Sequence, residues 1–215
     1  MAKAAKDAAT AASGGEEDMI GKVVKVTGGG AAAKGGEEKS VNGIASGIKG
    51  IVAAAEKAGE EGKLKSEAAG DGEDNAEAGK LFAAKKNDAA NGGGGAKDAE
   101  KAAAAVSAVS GKQILKAIVD AAGKEEKKGV ADVKEATNPI EAAIGSTGGE
   151  QNAAAFSKDG MKKNDQIAAA IVLRGMAKDG EFALKNADAA NAKAGLKSTV
   201  ESAVNKTVAD GQKKW

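Results

Sequence analysis

Ser46-Gly47-Ile48-Lys49 places a serine three residues before a lysine. That is the S-x-x-K spacing with which a lysine amine helps activate a serine nucleophile in penicillin-recognising enzymes. The S-D-N and K-T-G companions of that chemistry are missing. The tetrapeptide therefore reads as a solvated lysine on an amphipathic helix. The glycine runs Gly28-Gly29-Gly30 and Gly92-Gly93-Gly94-Gly95 lack the Gly-Lys-Ser/Thr ending that a phosphate loop needs, and they read as flexible linkers. Asp71, Glu73, Asp74 and Glu77 form an acidic cluster without the alternating ladder, glycine and bidentate glutamate of a calcium loop, so solvated charges are the reading. Arg174 lies inside an apolar stretch. A buried cation there requires a partner, and its functional reading would be an anion site. The favoured reading is structural, a paired arginine at a helix interface or one that snorkels to water. Asp165, Asp179 and Glu181 are the carboxylates near it in sequence. The expectation is no catalytic residue, no cofactor-binding residue, no cofactor and no metal ligand.

Composition points the same way. The 215 residues include no cysteine and no histidine. Disulfides, thiolate nucleophiles, imidazole acid/base chemistry and the usual zinc ligands are all removed together. Lys+Arg is 32 against 31 Asp+Glu, a net charge of +1, which gives no strong field for nucleic acid or an anionic membrane. Arg174 is the one arginine and there is no tyrosine, so base readout and stacking lack their usual side chains, and no nucleic-acid partner is expected. The hydrophobic fraction of 42% is largely alanine, and the aromatics are Phe82, Phe156, Phe182 and Trp215. Burying a larger aliphatic side chain contributes roughly 1.5–3 kcal/mol, and alanine well under that. A thin core and a marginally stable domain are expected, with 31 glycines adding to the cost of ordering. No run approaches the roughly 20 apolar residues of a membrane span.

The elements follow from apolar spacing. Met19, Ile20, Val23 and Val24 share one helical face, giving a helix over 17–26, with a short strand over Lys22–Thr27 as the alternative. Ser40 reads as an N-cap before Val41, Ile44, Ile48, Ile51, Val52 and Ala55. Leu81 and Phe82 mark 76–85. An Ala-rich helix over 97–109 gives way at Ser110 or Gly111 to one carrying Ile114, Leu115, Ile118 and Val119. Asn138-Pro139 is an N-cap followed by proline at the first helical position. Asn164 or Asp165 caps a helix over 164–179 with Gly180 as its stop, and Leu196, Val200, Val204 and Val208 define the last helix. Between these lie six segments rich in glycine and charge: 27–39, 56–75, 86–96, 123–137, 145–158 and 186–195. They should run over the surface. The fold class is all-α, an irregular multi-helix bundle with long Gly/charge-rich surface loops. It divides into an Ala-rich segment (1–16), a helical domain (17–208) and a C-terminal tail (209–215).

The stretch Met161-Lys162-Lys163-Asn164-Asp165-Gln166-Ile167 through Arg174-Gly175-Met176-Ala177-Lys178-Asp179-Gly180 to Lys185 resembles an invariant helix of the variable large protein / VlsE family of Borrelia outer-surface lipoproteins. Further blocks agree: 47–52, 105–119, 138–145 and 201–206. The resemblance runs over most of 17–207 and is nearer the variable large proteins. It implies an antigenically variable surface protein, a helical scaffold whose loops change by gene switching or recombination. Host antibodies would be its partners, with the cell outer membrane reached through a lipid anchor on an N-terminal cysteine. Homodimerisation stays open. The six soft segments match the family's variable regions. There is no lipobox cysteine or signal peptide, so the expectation is a fragment, a silent cassette product or a truncated copy, less stable than a full-length relative. The alternative is a surface adhesin for a host protein. Two geometric expectations follow: the soft segments gather toward one end, and helix 164–179 is buried.

Overall fold

Seven consecutive residues, Ile167, Ala168, Ala169, Ala170, Ile171, Val172 and Leu173, are wholly buried, which takes apolar burial round a full helical circumference. They form the centre of α5 (Asn164–Met176). The computed structural model describes residues 21–26, 33–58, 64, 73–82, 92–123, 125–147, 152–185 and 189–212, and among these α5 packs against the five other α-helices. Those helices are α1 (Glu38–Ala58), α2 (Ala96–Ser107), α3 (Gly111–Ala121), α4 (Pro139–Ile144) and α6 (Ala189–Gln212). A long 3-10 helix over Glu73–Leu81 and two short ones over Val133–Glu135 and Asp159–Met161 complete the helical part of the described residues. The fold is thus mainly helical, as the spacing predicts. Alanine recurs through the core, at Ala102, Ala105, Ala117, Ala142 and Ala143 among others. Each buries little area, so the larger Ile, Leu, Val and Phe side chains set most of the hydrophobic stabilisation.

Local signals set several helix ends. Asn138 Oδ1 accepts the Ile140 and Glu141 N–H groups, both at 3.1 Å, with Pro139 at the first helical position of α4. Ser110 forms a capping box with Gln113, and α2 and α3 bend by 98° across it. Gly111 follows because a Cβ there would lie 2.1 Å from the Lys206 carbonyl oxygen; α6 crosses against bare backbone.

Other expectations are corrected. The helix over 17–26 gives way to its alternative: Val23–Val26 form the strand β1, within the Lys22–Thr27 span read as a possible strand, while Met19 and Ile20 lie outside the described residues. β1 pairs in parallel with β2 (Phe182–Lys185), Val23 opposite Phe182 and Val26 opposite Lys185. Three β-branched residues in four suit a pleated, half-buried surface better than a helix. Ser40 does not cap α1, which begins at Glu38; its buried hydroxyl accepts the Lys178 N–H at 3.0 Å. Neither Asn164 nor Asp165 caps α5: Lys163 occupies the cap position, and Asn164 Oδ1 accepts from Asn75 Nδ2 at 2.8 Å. Helix α5 ends at Met176, short of Gly180. Helix α6 begins at Ala189 and runs to Gln212, absorbing much of the segment 186–195. In α6, Leu196, Val200 and Val204 face the core, while Val208 stays 47% exposed.

The soft segments do not lie wholly on the surface. Gly36, Val133, Ala136 and Phe156 are buried, and so are Gly92, Gly93, Gly94 and Gly95. Gly94 lies beside β2, donating to the Ala183 carbonyl and accepting from the Lys185 N–H, both at 2.9 Å. A glycine run lets backbone reach backbone there, where a linker was expected. Gly93 has φ +79°, and a Cβ on it would stand 2.8 Å from the Ala183 carbonyl carbon. Gly93→Ala is therefore expected to destabilise the domain by about 2 kcal/mol, mostly left-handed backbone strain. The urea midpoint reads this; an unchanged midpoint would return 92–95 to the status of a linker. The middles of three soft segments, 56–75, 86–96 and 145–158, lie outside the described residues.

Candidate functional site

The residues singled out for chemistry do not converge. Ser46 is exposed on α1. Lys49 Nζ donates to the Ala122 carbonyl, and to that of Gly123 at 3.3 Å. A cation thus meets carbonyls at the C-terminal end of α3, a favourable place for positive charge. Glu77 pairs with Lys80, which also lies 3.4 Å from Asp98; the Glu77 hydrogen bond is the main cause raising the Lys80 pKa. Asp71 and Gly28–Gly30 lie outside the described residues. Among the described residues, no group of three or more Asp and Glu is placed to hold a metal ion. An open groove of about 440 Å³ runs along α6, lined by Ser198, Glu201, Ser202, Asn205, Lys206 and Ala209, with none of the residues singled out for chemistry.

The polar centre of the molecule is Arg174. Its side chain is 1% exposed, at the end of α5. Nε donates to the Glu181 carbonyl at 2.8 Å, Nη1 to that of Ala142 at 3.4 Å, and Nη2 to that of Lys34 at 3.0 Å. Ala142 belongs to α4, so one planar guanidinium ties α5 to α4, to the segment before α1 and to the turn before β2. Its carbon sits 5.2 Å from the Phe82 ring centroid and 6.0 Å from that of Phe182. Phe82 packs at 5.4 Å from both Phe156 and Phe182. The cation is held by oriented carbonyl dipoles and ring faces. Burial pushes its pKa down to about 9, against the opposing charge of Glu181. That remains above neutral pH, so the cation persists.

Of the three carboxylates near Arg174 in sequence, only Glu181 takes part. Its Oε1 pairs with Lys22 Nζ at 2.7 Å and its Oε2 accepts the Lys34 N–H at 3.0 Å. Asp165 Oδ1 instead accepts from the Gln166 N–H at 2.9 Å, and Asp179 occupies a left-handed turn at φ +62°. The donors filling this interior polar site all meet oxygen acceptors, and no buried side-chain nitrogen or oxygen among the described residues lacks a partner. Each guanidinium nitrogen of Arg174 thus has a backbone carbonyl as its acceptor.

Comparisons with known proteins agree with this architecture. A sequence model of the family described as Borrelia lipoprotein matches residues 1–210. Variable large protein 4 of Borrelia hermsii is 36% identical over 210 residues, covering 97% of this chain and 55% of its own. Variable large protein 17 of the same organism is 37% identical over 204 residues, covering 95% and 53%. The chain thus spans about half the length of the curated relatives it matches. The crystal structure of the Lyme disease variable surface antigen VlsE of Borrelia burgdorferi superposes with a TM-score of 0.84 at 50% identity, over 99% of this chain and 67% of VlsE. With matches that cover nearly the whole of it and a helical fold in common with VlsE, the chain belongs to the Borrelia lipoprotein family.

Proposed function

We propose that this chain is an antigenically variable surface protein. Its helices form a scaffold, and its soft segments are the replaceable part that host antibodies meet. Replacement by gene switching or recombination would then remove the targets of an existing response. In this reading the chain has no active site, cofactor or nucleic-acid partner, and full-length relatives carry a lipid anchor to the outer membrane. The observation that carries it is the placement of the 161–185 stretch. The part with the strongest family resemblance supplies α5, Arg174 and β2, and is mostly interior, with Lys163 and Lys178 its exposed residues. A sequence held constant can persist in an antigen only where antibodies do not reach it, and interior position achieves that.

The adhesin alternative needs a fixed apolar or aromatic patch. Val208 is the one exposed large hydrophobic among the described residues, and it does not make such a patch. Antibodies raised against the intact protein test the display reading. Peptides spanning the soft segments should compete away most of their binding to the folded chain, and a 164–176 peptide should compete away almost none. Dominant competition by the 164–176 peptide would contradict the proposal.

A further inference from the structure

We infer that Asn42, Glu181 and Arg174 act as sequence-blind anchors, gripping Lys34 and Lys127 in two soft segments through backbone atoms alone so that the side chains at these residues and at exposed 125, 126 and 128 can be exchanged. The inference rests on the display reading above for its biological purpose, and on geometry for its substance. Lys127 lies in the segment 123–137. Its N–H donates to Asn42 Oδ1 at 2.9 Å, and its carbonyl accepts from Asn42 Nδ2 at 2.8 Å. Asn42 is 5% exposed and anchored in turn, since Nδ2 also donates to the Glu38 carbonyl at 2.9 Å. Lys34 lies in the segment 27–39 and is gripped in the same two-point way. Its N–H donates to Glu181 Oε2 at 3.0 Å, and its carbonyl accepts from Arg174 Nη2 at 3.0 Å and from the Glu181 N–H at 2.9 Å.

In both cases buried side chains of the scaffold supply one acceptor and one donor, and the loop residue supplies only its peptide groups. Every residue other than proline carries that same pair of groups. The Lys34 side chain is exposed and that of Lys127 half-buried, with exposed Glu125, Glu126 and Lys128 beside it. A grip on side chains would have to be rebuilt each time a loop changed. A grip on peptide groups survives exchange of the side chains at 34 and 125–128 that keeps proline out of positions 34 and 127, while Gly35, Gly36 and Gly129 stay fixed, because a Cβ on each would stand within 3 Å of a neighbouring atom.

Amide hydrogen exchange, resolved to the Lys127 N–H, tests this without any antibody, so its failure and that of the display reading are distinguishable. In the parent chain this amide should exchange slowly. Asn42→Ala should speed it by about tenfold, the size of one net hydrogen bond, while amides of α5 keep their rates. The combined variant Glu125→Ser, Glu126→Ser, Lys127→Ser, Lys128→Ser should keep the parent's slow exchange and its unfolding midpoint. That second arm holds whether or not Asn42→Ala folds. Slow exchange retained in Asn42→Ala would overturn the assignment, and so would loss of protection or of the fold in the combined loop variant.

Discussion

Ile171→Asp is expected to leave the chain without a cooperative unfolding transition. Ile171 is 0% exposed, in the middle of the helix that the other described α-helices pack against. Removing most of a buried isoleucine costs about 2–5 kcal/mol. Placing a carboxylate there adds several more, because nothing at that position can pair with it or solvate it. The two together rival the whole stability of an ordinary domain, about 5–15 kcal/mol. In a thin, alanine-filled core there is little excess to absorb the loss. Far-UV circular dichroism during heating reads the outcome directly, with Ile171→Val as the control at about 1 kcal/mol. A cooperative melt of Ile171→Asp within a few degrees of the parent would show that α5 is not the interior element described here.

Arg174→Ala is the second large effect, expected to destabilise the domain by about 3–5 kcal/mol. The truncation withdraws donors from the carbonyls of Glu181, Ala142 and Lys34 at once. It also opens a void beside Phe82 and Phe182, where the guanidinium lay against the rings. Arg174→Lys should recover only part of this. An ammonium keeps the charge but lacks the planar fork that reaches three separated carbonyls. Urea denaturation of the three proteins orders them parent, Arg174→Lys, Arg174→Ala. Stability of Arg174→Ala within about 1 kcal/mol of the parent would mean that desolvation of the cation cancels what its hydrogen bonds contribute.

The legible parts of this fold were those specified by near neighbours in the chain. Asn138-Pro139 and the Ser110–Gln113 box carry their own instructions, since donors and acceptors lie within three residues. The apolar girth of α5 is likewise readable from its own residues. What was missed depends on distant partners. Val23–Val26 fits a helical face about as well as a strand, and its partner β2 lies beyond almost every other element of the chain. Gly92–Gly95 has no side chains to pattern, so a linker and a close-packed strand neighbour look identical until Ala183 is known to lie against it. Ser40 is a sound N-cap residue by type, yet its hydroxyl is taken by Lys178, which follows α5.

The polar site divides in the same way. That a lone arginine among apolar residues needs partners follows from electrostatics, and Glu181 stood among the three carboxylates named. Which carbonyls receive the guanidinium was not legible, because every peptide group offers the same acceptor and only the tertiary fold selects Ala142, Lys34 and Glu181. Asn42 carried no signal either: an asparagine within an amphipathic helix looks like any polar residue until Lys127 is brought to it.

The proposed display function requires that the 161–185 stretch be hidden from antibodies in the folded chain. An antibody raised against the isolated peptide 164–176 tests it most directly, measured against the folded chain and against the same chain unfolded in urea and immobilised. Firm binding to the unfolded chain is expected, and binding to the folded chain weaker by about a hundredfold or more, because α5 becomes accessible only when the core opens. Equal affinity for the two forms would contradict it.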